Sequence, residues 1–296
     1  MKKTENDARF RAARKSGEQT AIEYGFTDLP VDPFVIAEKA ELIVQAKPDT
    51  SGGVSGMLLR HGENYGILYA THISSEGFQR FSVAHELGHY FLPGHIDQVL
   101  PPGQEIHTSH AGYFSGDPFE KEADHFAAGL LMPSYLFQKS IGQVKDGLEG
   151  IIALSERCKT SRTATAIQYI QFTDCPSAII VSQGNAIEYC FMSEALKAHK
   201  DELTWLKKGD YLPSESLTYR FNQNQENVKS SVNESSDTEL TDWLGGTRSF
   251  TGSEEVIGLG SYGKTLTVIT FPDLPDEAEL EEEDSFEESL TPRFRR

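Results

Sequence analysis

The 296-residue chain is poor in cysteine, in basic residues and in long apolar runs, and each shortage excludes something. Its three cysteines (Cys158, Cys175 and Cys190) are an odd number, widely spaced, with no Cys-x-x-Cys pair; they read as reduced packing thiols in a reducing cytoplasm. No apolar run approaches the roughly 18 residues that a membrane span needs, so no membrane partner is expected. The basic start Met1-Lys2-Lys3 has no apolar stretch behind it, so it does not read as a secretory signal, and the expected localisation is cytoplasmic. Lysine and arginine total 27 against 45 acids, a net charge of −18, which opposes direct binding to nucleic acid or anionic lipid.

The residues present in quantity give the composition of a globular chain, 38% hydrophobic and 24% charged, long enough for a sizeable core. The acid excess is concentrated: Asp273 to Glu288 holds ten acids and no lysine or arginine. Such a block repels itself and buries nothing, so residues 273–296 read as a disordered acidic tail whose removal after Pro272 costs little stability. Residues 1–20 are polar and charge-rich and read as a mobile arm or a loosely docked helix. Asp32-Pro33 marks a helix start, Leu42-Ile43-Val44 a strand, and Val54–Leu59 with Tyr65–Tyr69 a β-hairpin around His61-Gly62-Glu63-Asn64. Residues 81–92 and 118–131 have helical spacing and are joined by a Gly/Pro/His-rich connector. Residues 151–170 read as two short helices, in outline like a helix-turn-helix. Strand-like segments lie further on at 178–182, 187–191, 255–259 and 266–271, and the polar stretch 222–242 reads as a loop.

Two short motifs compete. Gly258-Leu259-Gly260-Ser261-Tyr262-Gly263-Lys264-Thr265 matches the phosphate-loop pattern, which requires a helix immediately after it. The next residues are Leu266-Thr267-Val268-Ile269-Thr270-Phe271-Pro272, β-branched and stopped by proline, so the glycines belong to a hairpin turn. His85-Glu86-Leu87-Gly88-His89 passes its own test: Phe81, Val83, Ala84, Leu87, Tyr90 and Phe91 supply a helical apolar pattern. The two histidines, four apart, stand one turn above the other, as two imidazole ligands of a tetrahedral zinc must. Glu86, about 100° round the helix, reaches water beside the metal without ligating it, and Gly88 admits another element closely.

The third ligand has three candidates on spacing alone. His95 sits where a longer three-histidine motif places its last member, although Leu92-Pro93 stands where that motif needs glycine. Glu120 and Asp124, at i and i+4, share a helix face, so that one carboxylate can ligate while the other accepts the N–H of a ligating histidine. Glu122 or another acid is the remaining alternative. His107, His110 and Tyr113 in the connector are candidates for stabilising an oxyanion.

The blocks Arg80–Tyr90, containing the His-Glu-x-x-His, and Glu120-Lys121-Glu122-Ala123-Asp124 through Leu131-Met132-Pro133 resemble, in that order, the ImmA/IrrE family of metallo-endopeptidases over roughly residues 20–175. The resemblance implies zinc held by His85, His89 and Glu120, with Glu86 as the catalytic base. It also implies a cytoplasmic regulator that cleaves a helix-turn-helix repressor in a stress or mobile-element response. The expected fold is α+β: a zincin-like catalytic domain (21–140), a short helical segment (141–175) and a β-rich C-terminal domain (176–272) between the arm and the tail. The competing reading is a non-catalytic regulator, or a repressor-sequestering protein, with a structural zinc site; a closed structural site has no use for Glu86 beside an open coordination position.

Overall fold

The computed structural model describes residues 2–48, 53–110, 116–199 and 203–275; Tyr113, and the acidic tail from Asp276 onward, lie outside the described residues. The chain divides into two units, Met1–Gln143 with Ile152–Thr165, and Val144–Ile151 with Ala166–Arg296. No described helix is long and apolar enough to cross a membrane.

The first unit runs α1 (Lys2–Glu23), α2 (Pro33–Lys39), β1 (Ile43–Lys47), β2 (Val54–His61), β3 (Asn64–Ala70), α3 (Glu76–Phe91), α4 (His95–Val99), β4 (Ile106–His110), α5 (Pro118–Leu131) and α6 (Ser134–Ile141). Its sheet has the order β1-β3-β2-β4, with β1 parallel to β3 and the other pairs antiparallel. The β2–β3 hairpin turns on Gly62-Glu63, with His61 paired to Asn64. Helix α3 starts at the Ser75 cap, whose hydroxyl accepts from the Phe78 amide, and stops where Leu92 turns extended ahead of Pro93. It is buried on every side from Ser82 to His89, because β2 and β3 cover one flank and α5 another. At Gly88 a Cβ would stand 3.0 Å from the Ala123 Cα, so the missing side chain sets how closely α3 and α5 approach.

Of the two readings of the N-terminal stretch the structure has the helix: residues 2–20 form most of α1, which packs along α5. The inward stripe is Ala13, Gly17, Thr20 and Ala21, with Gly129 facing it from α5; a side chain on either glycine would run into the other helix's backbone. Small residues pack by close approach and leave almost no hydrophobic periodicity for a sequence reading to find.

Helices α7 (Leu148–Cys158) and α8 (Arg162–Tyr169) occupy the segment read as a helix pair. Thr165, Ala166, Gln168 and Tyr169 of α8 are buried, so this helix is a packing element along most of its length.

The second unit holds β5 (Ser177–Gln183), β6 (Ala186–Met192), α9 (Glu194–Lys197), α10 (Leu217–Asn222), α11 (Gln225–Lys229), β7 (Asn233–Glu239), α12 (Leu240–Leu244), β8 (Thr251–Gly258) and β9 (Thr265–Thr270). Its five strands form an antiparallel sheet in the order β6-β5-β9-β8-β7. The glycine-rich string closes the β8–β9 hairpin, with Gly260 and Gly263 at φ of 67° and 62°. The stretch 222–242 is not a loop: it carries α11, β7 and α12. Strand β7 is an edge strand, largely exposed, and its polar run Asn233-Glu234-Ser235-Ser236-Asp237 hides it from a search for apolar alternation. Glu254 of β8, 1% exposed, accepts from the Thr218 amide (2.6 Å) and hydroxyl (2.7 Å) and from Trp243 Nε1 (3.2 Å), fastening α10 and α12 to the sheet.

One tail expectation changes. Leu274 is buried in the core of this unit, and the Pro275 carbonyl lies 2.8 Å from His199 Nε2. The ordered chain therefore extends past Pro272. A protein ending at Pro272 should unfold with about 2 kcal/mol less stability than one ending at Pro275, the scale of one buried leucine. Urea denaturation of the two truncations checks this, and equal midpoints would show that Leu274 contributes nothing.

Candidate metal centre

The centre is built where α3, α5 and β4 meet. His85 Nε2 and His89 Nε2 lie 3.1 Å apart, and Glu120 of α5 spans them, Oε2 at 3.3 Å from His85 and Oε1 at 3.4 Å from His89. Ligand atoms around 2.05 Å from a tetrahedral ion lie about 3.3 Å from one another, so these three donors already have the spacing such an ion imposes. Among the described residues, this is the one group of His, Cys, Asp and Glu side chains whose ligand atoms converge in this way. Two imidazole nitrogens and a carboxylate oxygen suit a borderline divalent cation such as zinc.

Asp117 caps α5 by accepting from the Phe119 amide, and Pro118 sits at its first turn, which together orient Glu120 and Asp124 toward α3. Asp124 Oδ1 is 2.9 Å from His85 Nδ1 and holds that ring with Nε2 facing Glu120.

His95 is not among the converging donors. The chain reverses through Pro93 and Gly94, the latter at φ 78°, and α4 folds back against α3. That brings His95 Nδ1 to 3.2 Å from His89 Nδ1, on the opposite edge of the His89 ring from the nitrogen that faces Glu120. Glu122 stands outside that group too: its Oε2 is 2.8 Å from His95 Nε2, and Oε1 pairs with Arg9 of α1. His107 of β4 enters the centre with Nε2 3.1 Å from Glu120 Oε1, whereas His110 is exposed.

Electrostatics in the cluster are opposed. Burial alone would lower His85, but its hydrogen bonds to Asp124 and Glu120 outweigh it and raise the imidazole to about 10. Burial depresses His89 to about 3, only partly offset by Glu120. Burial works to raise Glu120, yet its bonds to His107, His85 and His89 hold it far below the usual carboxylate range. At neutral pH, then, the pair carries one excess proton, on His85. A metal ion must displace it, so Zn2+ binding at pH 7.5 should release about one proton, and affinity should fall about tenfold per pH unit on acidification below the His85 value. Titration calorimetry in buffers of different ionisation enthalpy reads the number; zero protons released would place the charge elsewhere.

Glu86 is fully buried, and neither carboxylate oxygen has a hydrogen-bond partner. Burial pushes its pKa up; His85, the nearby Ser109 hydroxyl and His107 pull the other way, although Ser109 Oγ itself completes no hydrogen bond. A buried carboxylate without partners is costly unless a polar group or ion is to occupy the space beside it. Sequence reasoning missed what shapes that space. Gly56 of β2 lies over Glu86, and a Cβ there would stand 2.5 Å from Glu86 Oε1. The signal was a glycine inside a strand, which marks close approach. Gly56→Ala should push the carboxylate aside and cost about 10²-fold in any hydrolysis, the usual penalty for misplacing a catalytic group by about 1 Å. Metal affinity should change little; a variant with wild-type turnover would show that the carboxylate needs no such room.

The model of the IrrE N-terminal-like domain, Peptidase_M78, matches residues 37–168, which include all of these α3 and α5 residues. No match is found among curated proteins. A solved structure of a Mycobacterium tuberculosis transcriptional regulator superposes with a TM-score of 0.54 at 15% identity, over 92% of this chain and 78% of that one. At that identity the likeness is one of fold alone.

Proposed function

Residues 37–168 belong to the IrrE N-terminal-like family of peptidases, and from that premise we propose that the chain is a zinc-dependent endopeptidase making site-specific cuts in a helix-turn-helix repressor. The observation that carries the catalytic part is Glu86: a wholly buried carboxylate, with no hydrogen-bond partner on either oxygen, within electrostatic reach of His85 and Glu120 of the converging group. A zinc held by His85, His89 and Glu120 would supply Lewis acidity, acidifying water and polarising the scissile carbonyl. Glu86 takes the proton of the attacking water and delivers it to the leaving amine, which its raised pKa suits. Asp124 orients His85, and His107, donating to Glu120, keeps that carboxylate aligned with both histidines. The packing of α3 between the sheet and α5 supports reading the catalytic domain as zincin-like.

The substrate part rests on the family resemblance and on charge. A net charge of −18 favours encounter with a basic DNA-binding protein, in a salt-dependent way. A cytoplasmic protease must also be selective, so a few cuts in one partner are expected rather than general proteolysis. The test is mass spectrometry of a helix-turn-helix repressor encoded beside this chain, after incubation with zinc-loaded protein. One or two cuts with casein left intact support the proposal; casein digestion with an intact repressor would make this a general peptidase. The second reading is a regulator that sequesters a repressor without cutting it, and its support is that the structural neighbour is called a transcriptional regulator. It predicts tight binding with no cleavage.

A further inference from the structure

Glu122 and His95, which stand outside the converging donor set, form a chain that runs from His89 to Arg9. Glu122, two residues past Glu120 and 7% exposed, uses both oxygens: Oε2 meets His95 Nε2 at 2.8 Å, and Oε1 pairs with Arg9 Nε of α1. His95, 2% exposed, offers its other nitrogen to His89 Nδ1 at 3.2 Å. The Arg9 guanidinium also lies 5.4 Å over the Phe119 ring, and Phe119 packs edge-on against His95 at 5.0 Å.

Proton placement gives this chain a direction. If His89 ligates through Nε2, its Nδ1 carries the hydrogen and donates to His95 Nδ1. His95 must then carry its own hydrogen on Nε2 and donate to Glu122. The carboxylate is acceptor-only and also receives Arg9 Nε–H. Every donor has an acceptor in this arrangement, and the order is set from the metal outward. Its far end lies on α1, a helix whose inward stripe is Ala13, Gly17, Thr20 and Ala21 and so buries little apolar surface of its own.

We propose that His95, Glu122 and Arg9 are positioning residues that couple metal capture at His89 to the docking of helix α1 on α5, so that each strengthens the other. The proposal rests on the reading of His85, His89 and Glu120 as the metal site. Coupling of this kind is reciprocal: the factor by which docked α1 raises metal affinity is the factor by which metal raises α1 docking.

The experiment uses the full chain and Zn2+ alone. Affinity is read by competition with a chromogenic chelator, and α1 docking by amide hydrogen exchange over residues 6–23. In the wild type, saturating Zn2+ should slow exchange across α1. His95→Gln should bind Zn2+ about 10- to 100-fold more weakly, as outer-shell losses do; once saturated, it should no longer slow α1 exchange. Arg9→Met, which keeps the stem over Phe119 but not the donor, should likewise abolish the α1 response, with Arg9→Lys restoring part of it. Because Arg9 lies at the surface end of the chain, its variants decide the matter if His95→Gln fails to fold. Zn2+ binding by the wild type with no change in α1 exchange, or an equal slowing in Arg9→Met, overturns the coupling and leaves the metal site standing. Failure of the wild type to bind Zn2+ at all overturns both.

Discussion

Glu86→Gln should bind Zn2+ as the wild type does and lose hydrolysis by about 10²- to 10⁴-fold, the range for removing a general base. The amide is nearly isosteric with the carboxylate, and the cradle beneath Gly56 is shaped for that volume, so the helix and both histidines keep their places. An amide cannot accept the proton of the attacking water. Burying a neutral amide in place of an unpartnered carboxylate also removes a desolvation cost, so the variant should be at least as stable as the wild type. Thermal melts, chelator competition and peptide mass spectrometry on one preparation separate these effects. Wild-type cleavage by zinc-loaded Glu86→Gln would sink the assignment of the base.

The second large effect belongs to Glu120. Its carboxylate faces both Nε2 atoms and carries the centre's only ligand charge, so Glu120→Gln should weaken Zn2+ binding on the order of 10²- to 10³-fold, about one ligand's share of a zinc site's free energy. Asp124→Ala, which touches only the far nitrogen of His85, should lose about 10- to 100-fold. The ranking matters more than the values. A Glu120→Gln protein that binds Zn2+ as tightly as the wild type, with His95→Gln losing the metal entirely, would move the third ligand to His95 despite its place behind the His89 ring.

The parts of the centre legible in the sequence are those that lie on one element. His85 and His89 face the same way because a helix repeats every 3.6 residues, and Glu120 with Asp124 for the same reason. The glycine-rich string declared itself a hairpin through the β-branched run behind it. Elements whose contacts are made by small or polar residues were the hardest to read: α1, with its Ala13, Gly17, Thr20 and Ala21 stripe, was legible only as an arm or a loosely docked helix, and the edge strands β4 and β7, whose burial patterns are mostly exposed, stayed hidden. Gly56 gave one signal, a glycine inside a strand, but nothing local ties it to a side chain thirty residues away.

By itself the sequence determined the helix of two histidines and a glutamate, the helix carrying Glu120 and Asp124, and four of the five strands of the second unit. These come from local periodicity and β-propensity, which act over a few residues. Only the tertiary structure shows which of Glu120, Glu122 and His95 brings a donor atom to those of His85 and His89: it is Glu120. Spacing along the chain cannot say which edge of the His89 ring a residue from another element approaches. The reversal at Pro93-Gly94 puts His95 behind that ring, the packing of α5 on α3 puts Glu120 in front of it, and the docked α1 claims Glu122 through Arg9.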